Sequence, residues 1–159
     1  MFFPAVSQAL AKSGKEAGYD FQIIESVMKV NEEQKTALMP KIKKHYGDIR
    51  GKHFAMWGLA FKPDTDDIRE APALYMIDAL VEAGATVAAF DPEAMPNVKK
   101  VKGDKVSFAT DEYEALNGAD ALIIATEWAL FRTPDFKRVS ETLKDRTIFD
   151  GRNLYELDE

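Results

Sequence analysis

The first third of the chain carries apolar positions at helical spacing. Pro4 suits an opening helical turn, where its missing N–H costs no hydrogen bond, and Val6, Ala9 and Leu10 follow as a short stripe. Gly18 is placed to stop that helix, and Asp20 is a plausible N-cap for the next. The second stripe runs through Phe21, Ile24, Val27, Met28, Asn31, Leu38 and Ile42, mostly at three- and four-residue steps, and predicts a helix reaching about Tyr46. Pro40 would kink or break it. Such a stripe must be buried, either on its own domain or on a second subunit, and the pattern leaves both open.

From Gly51 the period changes. KHFAMWGLAF reads as a buried strand, KPDTDDIRE as a polar loop, Ala71 to Ala83 as a helix, and ATVAAFD as the next strand. This βαβ spacing implies parallel strands joined by a right-handed crossover. DEYEALNG then reads as a short helix, ADALIIAT as a strand, TPDFKRVSETLK as a helix and RTIFDG as a last strand. Four strands alternating with helices predict an α/β fold: residues 1–48 as a helical arm, and residues 49–159 as a Rossmann-like open parallel sheet with helices on both faces.

Composition narrows the classes. At 159 residues, the chain can bury one sizeable core. A net charge of -6 argues against nonspecific nucleic-acid binding, and the lysines at 41, 43, 44, 99, 100, 102 and 105 have few aromatics among them. They read as solvated surface. No apolar run nears the roughly 20 residues that span a bilayer, and the first residues lack a secretory signal's order of parts, so the expectation is a cytoplasmic protein without membrane contact. There is no cysteine, which removes disulfides, thiolate metal sites and thiol nucleophiles from this chain.

In open parallel sheets ligands gather where strands end and helices begin. Four loops qualify here: 61–70, 91–96, 127–133 and 150–153. The first holds Lys62, Asp64, Thr65, Asp66, Asp67 and Arg69, and its cations suit a phosphate or carboxylate. The alternative is a polar loop whose acids and bases satisfy one another. Arg152 is either a second ligand-facing cation or a capping arginine. Only Gly58 stands where a dinucleotide fingerprint has three glycines, so this domain is not expected to bind NAD by itself; Asp91 then reads as a turn former before Pro92. The acids at 64, 66 and 67 lack calcium-loop spacing, and His45 and His53 lie on separate elements, so no metal is expected.

WGLAFKPDTDDIREAPA resembles a signature of the UDP-glucose/GDP-mannose dehydrogenase family, at the start of its C-terminal domain. AGYDFQIIESVMKVNEEQK is similar to the family's central helix, ATEWALF to a strand and turn of the distal domain, and IFDGRNL to its closing strand. Nearly the whole chain is covered, in order. VNEEQK and GLAFKPDTDDIRE look most like bacterial UDP-glucose 6-dehydrogenases, with GDP-mannose and UDP-N-acetylhexosamine dehydrogenases as alternatives. The family oxidises the C6 alcohol of a nucleotide sugar to a carboxylate with two NAD. Its N-terminal domain binds NAD, its long helix forms a dimer, and its C-terminal domain closes over the sugar nucleotide. The resemblance implies that Lys62, Phe61 and Arg152 face the UDP-sugar and that Arg69 reaches the NAD pyrophosphate. It also implies a homodimer through the helix near Asp20–Tyr46.

One departure is plain. The family's catalytic Cys-Phe-Pro-Lys-Asp matches Phe2, Phe3, Pro4, Ala5 and Val6, so the thiolate that attacks the aldehyde has no counterpart. The start inside that motif is expected of a shortened chain, inactive alone. A stand-alone dimerisation or nucleotide-binding module is the rival reading.

Overall fold

The computed structural model describes residues 4–19 and 21–156. Asp20, the expected N-cap, lies outside the described residues, as do Phe2 and Phe3 of the catalytic-motif match. Helix α1 spans Pro4–Glu16 and ends at Gly18 (φ 75°), where the Tyr19 N–H donates to the Gly14 carbonyl at 2.8 Å. Helix α2 spans Gln22–Lys35, entered from Phe21 without a side-chain cap.

The expected long helix is broken before Pro40. Helix α3 spans Leu38–Tyr46, separated from α2 by a turn at residues 36 and 37. Pro40 is the third residue of α3, within the first turn, where no N–H needs an intrahelical partner. The chain therefore breaks where the proline can be accommodated.

Strands β1 (His53–Trp57), β2 (Thr86–Phe90), β3 (Ser107–Phe108), β4 (Ala121–Ile124) and β5 (Thr147–Asp150) form one parallel sheet in the order β3-β2-β1-β4-β5. Helix α4 (Pro72–Glu82) links β1 to β2, α5 (Met95–Lys102) leads from β2 towards β3, and α6 (Phe136–Thr142) lies between β4 and β5. The order reverses between β1 and β4, and that reversal makes the sheet doubly wound. The pattern reading lacks α5 and β3. It also makes a helix of DEYEALNG, which contains only a three-residue turn, Glu114–Leu116, before Gly118 (φ 72°).

Alternate strand residues serve two cores. Phe54, Met56, Val87, Ala89 and Ile123 face one side, with Ile77 and Leu80 of α4 and Val98 of α5. Ala55, Trp57, Leu122 and Ile124 face the other, with Leu116, Phe131 and Val139. Burial on both faces explains the near-continuous apolar strands. Leu38, Met39 and Ile42 of α3 belong to the first core, so the second half of the helical stripe is covered by the α/β unit itself. Val6, Leu10, Phe21, Ile23 and Val30 on and beside α1 and α2 stay exposed. Among the described residues, no helix is long and apolar enough to cross a membrane.

Candidate functional site

The reversal between β1 and β4 is where an open parallel sheet opens a crevice, and here that crevice is filled. Gly58, directly after β1, has φ 90°, and a Cβ there would lie 2.4 Å from Thr126 Cβ and 2.6 Å from Thr126 N. Thr126 in turn donates its hydroxyl to the Ala60 carbonyl at 2.7 Å. Asp91, fully buried at the end of β2, accepts from the Leu59 and Ala60 N–H groups at 2.6 and 3.1 Å. It also accepts from Glu93 and Ala94 N–H at 2.9 and 2.7 Å, and from Trp128 Nε1 at 3.1 Å. Asp91 therefore does more than form a turn: it ties together three loops. With one glycine, Thr126 in the turn and Asp91 engaged, these residues do not fit a dinucleotide as a self-sufficient site.

Above that floor stands the loop from β1 to α4. Its neck is closed by the Phe61 N–H donating to the Asp67 carbonyl at 2.8 Å. Thr65 accepts from the Asp67 N–H at 3.1 Å, and Asn97 of α5 donates to the Asp66 carboxylate at 3.0 Å. Asp64 and Glu70 hold left-handed backbone, φ 60° and 57°. That conformation costs a non-glycine residue roughly 1–2 kcal/mol, so the surrounding bonds have to maintain it. Phe61 is half-buried and Lys62 exposed. The Arg69 side chain is 87% exposed, with its fork on the Asp67 carboxylate. Those bonds, with the nearby charge of Lys62, push the Asp67 pKa down to about 2. Lys62 and Arg69 thus both lower the pKa of one carboxylate, Arg69 by direct bonds and Lys62 by its charge.

Arg152 is built into a second place. After β5 the Asp150 carboxylate accepts from the Arg152 and Tyr155 N–H groups at 2.8 and 3.1 Å, which curls the chain back. The half-buried Arg152 guanidinium donates through Nε and Nη2 to both oxygens of Glu127. Burial works against the Glu127 charge, but the Arg152 bonds outweigh it and hold the acid below its ordinary pKa. A cavity of about 280 Å³ lies beside this pair, walled by Gln34, Lys35, Leu38 and Lys41, by Pro72 and Met76 of α4, and by Ile124, Ala125 and Arg152.

The candidate residues thus divide. Lys62, Phe61 and Arg69 share the β1–α4 loop, while Arg152 sits beyond β4, about 10 Å across two strand spacings. Periodicity misses the residue that joins the two places. Lys35, 3% exposed at the end of α2, lines the cavity and donates to Glu70 at the foot of the loop. It also donates to Glu32 at 2.6 Å and stands 4.2 Å from the Tyr75 ring centre. Burial pulls its pKa down, and the bonds to Glu32, Glu70 and Tyr75 reverse this, leaving it above the ordinary lysine value. Asn31 and Lys35, one helical turn apart and both buried, are polar residues inside an apolar stripe; that was the available signal.

Comparison with known proteins agrees with this architecture. The family model for the UDP-glucose/GDP-mannose dehydrogenase family, UDP binding domain, matches residues 55–157. The chain is 40% identical over 157 residues to the UDP-glucose 6-dehydrogenase TuaD of Bacillus subtilis, covering 99% of this chain and 34% of that protein. It is 42% identical over 158 residues to a UDP-glucose 6-dehydrogenase of Rhizobium meliloti, covering 99% of this chain and 36% of the relative. The structure of a UDP-glucose dehydrogenase from the hyperthermophilic archaeon Pyrobaculum islandicum superposes with a TM-score of 0.87 at 32% identity, over 99% of this chain and 35% of that one. The chain spans about a third of the length of these relatives, matching their C-terminal part. By its sequence match and its doubly wound sheet, the chain belongs to the UDP-glucose/GDP-mannose dehydrogenase family and carries that family's UDP-binding domain.

Proposed function

We propose that this chain serves an NAD-dependent UDP-glucose 6-dehydrogenase as the domain that closes over the UDP-sugar. The observation that carries this reading is the set of cations Lys62, Arg69 and Arg152 at the C-terminal edge of a parallel sheet, where anionic ligands meet such folds. Lys62, with Phe61 beside it, contacts the substrate; Arg152 contacts the nucleotide sugar from the β5 side. Arg69, largely exposed, reaches towards a pyrophosphate held by a separate dinucleotide-binding domain. The filled crevice at Gly58 and Asp91 supports assigning NAD to that other domain.

The chain holds no cysteine, so a covalent thiol step belongs to other protein, and the chain alone gives no turnover. A homodimer forms through the exposed apolar positions of α1 and α2, Leu10, Ile23 and Val30 among them, because those of α3 are already covered. The cytoplasm is the compartment.

The test is NADH formation with UDP-glucose. We expect none from the chain alone. A chimera with the preceding two-thirds of the Bacillus relative is expected to be active and to lose at least tenfold in kcat/KM with Lys62→Ala. Turnover by the isolated chain, or a chimera indifferent to Lys62, contradicts the reading.

A further inference from the structure

We propose that Lys35 is a positioning residue for the β1–α4 loop: through Glu70 it holds Lys62 and Arg69 in place and ties them to the helical arm. The proposal deepens the functional reading above and rests on that loop facing an anionic ligand.

Three observations carry it. Lys35 is almost fully buried, and its ammonium bonds the Glu70 carboxylate from a helix that is 35 residues away in sequence. Both Glu70 oxygens are engaged, Oε2 by Lys35 and Oε1 by the Tyr75 hydroxyl at 3.3 Å. Glu70 stands in left-handed backbone (φ 57°), a conformation that glutamate keeps only while something holds it. Arg69 is the next residue. Releasing Glu70 therefore lets the backbone at 70 return to an ordinary region, which swings Arg69 and loosens the loop as far back as the neck at Phe61 and Asp67. Lys35 also walls the cavity that Arg152 lines, so this buried cation stands between the two cationic places.

The arrangement has a consequence for the arm. A movement of α2 relative to the sheet, as when its exposed apolar face is covered, is passed to Glu70, and so to Arg69, through the Lys35 ion pair. A lysine whose task was only to fill space would have no such route.

The test compares the full chain with Lys35→Met, Glu70→Gln and Lys35→Arg by amide hydrogen exchange and by UDP-glucose titration. Methionine fills the same space without a charge, and Glu70→Gln breaks the pair from the other side should the first variant fold poorly. Exchange in residues 61–70 is expected to rise at least tenfold in both, with the strands unchanged. UDP-glucose Kd is expected to weaken about fivefold, and Lys35→Arg to restore both. Loop exchange unaltered in both variants, or loosening spread evenly over the sheet, overturns the proposal. The exchange measurement needs no ligand, so a wild-type chain that binds no UDP-glucose counts against the proposed function while the loop result still decides the role of Lys35.

Discussion

Arg69 grips Asp67 with both arms of its fork, Nε to Oδ1 at 2.9 Å and Nη2 to Oδ2 at 2.7 Å. The charge of Lys62 adds a smaller effect on the same carboxylate, which already satisfies Arg69. A phosphate approaching Arg69 must displace Asp67 or share the guanidinium with it. Exposed pairs of this kind contribute about 0–1 kcal/mol, so the competition is mild. In the chimera with the preceding two-thirds of the Bacillus relative, Asp67→Asn is therefore expected to tighten NAD binding by about twofold to fivefold, a gain that disappears in the Asp67→Asn/Arg69→Ala double variant. Titration calorimetry on the two variants and the unsubstituted protein checks it, and weaker binding in Asp67→Asn would show that the acid helps the ligand rather than competing with it.

Asp91 holds five N–H donors from residues 59, 60, 93, 94 and 128. Removing a buried acceptor leaves those donors unsatisfied at about 1–3 kcal/mol each before relaxation, so Asp91→Ala is expected to cost at least about 3 kcal/mol. Asp91→Asn is expected to fare little better, because its amide sets a donor against donors. Urea unfolding of both variants measures this. An asparagine variant within about 1 kcal/mol of wild type would show that Asp91 is not the anchor of the three loops.

Gly58 approaches Thr126 too closely for any side chain, and its φ of 90° disfavours one independently. Gly58→Ala is expected to cost about 2–4 kcal/mol, and Gly58→Ala/Thr126→Ala to recover only part, since the Thr126 backbone nitrogen is as close as its side chain. The urea midpoints of the two variants decide it.

Acid should weaken the fold through His53. Its ring sits by Thr86, Nδ1 to Oγ1 at 2.7 Å, and burial, with Lys144 nearby, lowers its pKa below the usual 6.5. A depressed histidine is neutral in both states above the unfolded pKa, and its contribution is lost as pH falls through the folded value. Asp120 does not titrate in that window. Burial raises its pKa, but the His53 N–H and Lys52 bonds outweigh this and hold it below the ordinary aspartate value. Stability is thus expected to decline as pH drops below about 6.5, with a shallower decline in His53→Gln. Equal slopes in denaturant unfolding between pH 7.5 and 5 would exclude the histidine.

Much of this architecture is legible in the sequence, for a physical reason. Phe54–Trp57 and Ala121–Ile124 are buried on both faces, and an unbroken apolar run is the mark such strands leave. What escaped was held by tertiary contact. Strand β3 is two residues long and exists by pairing with β2, while α5 is lysine-rich with Val98 as its one buried side chain. Lys62 and Arg69 stand out in the sequence because both lie in one loop. Lys35 and Glu70 are 35 residues apart, and the partners of Asp91 are spread over residues 59 to 128, so neither group could be assembled from spacing. The sequence leaves Arg152 open between a ligand contact and a cap, and only the fold brings it onto Glu127.

The most direct test of the central claim is a UDP-glucose titration of the isotopically labelled chain followed by backbone amide NMR. Shifts concentrated in residues 58–70 and 150–155, and reduced at least fivefold by Lys62→Ala with Arg152→Ala, are the predicted result. Saturating shifts elsewhere, or a response indifferent to both substitutions, would contradict the assignment of these cations to the UDP-sugar.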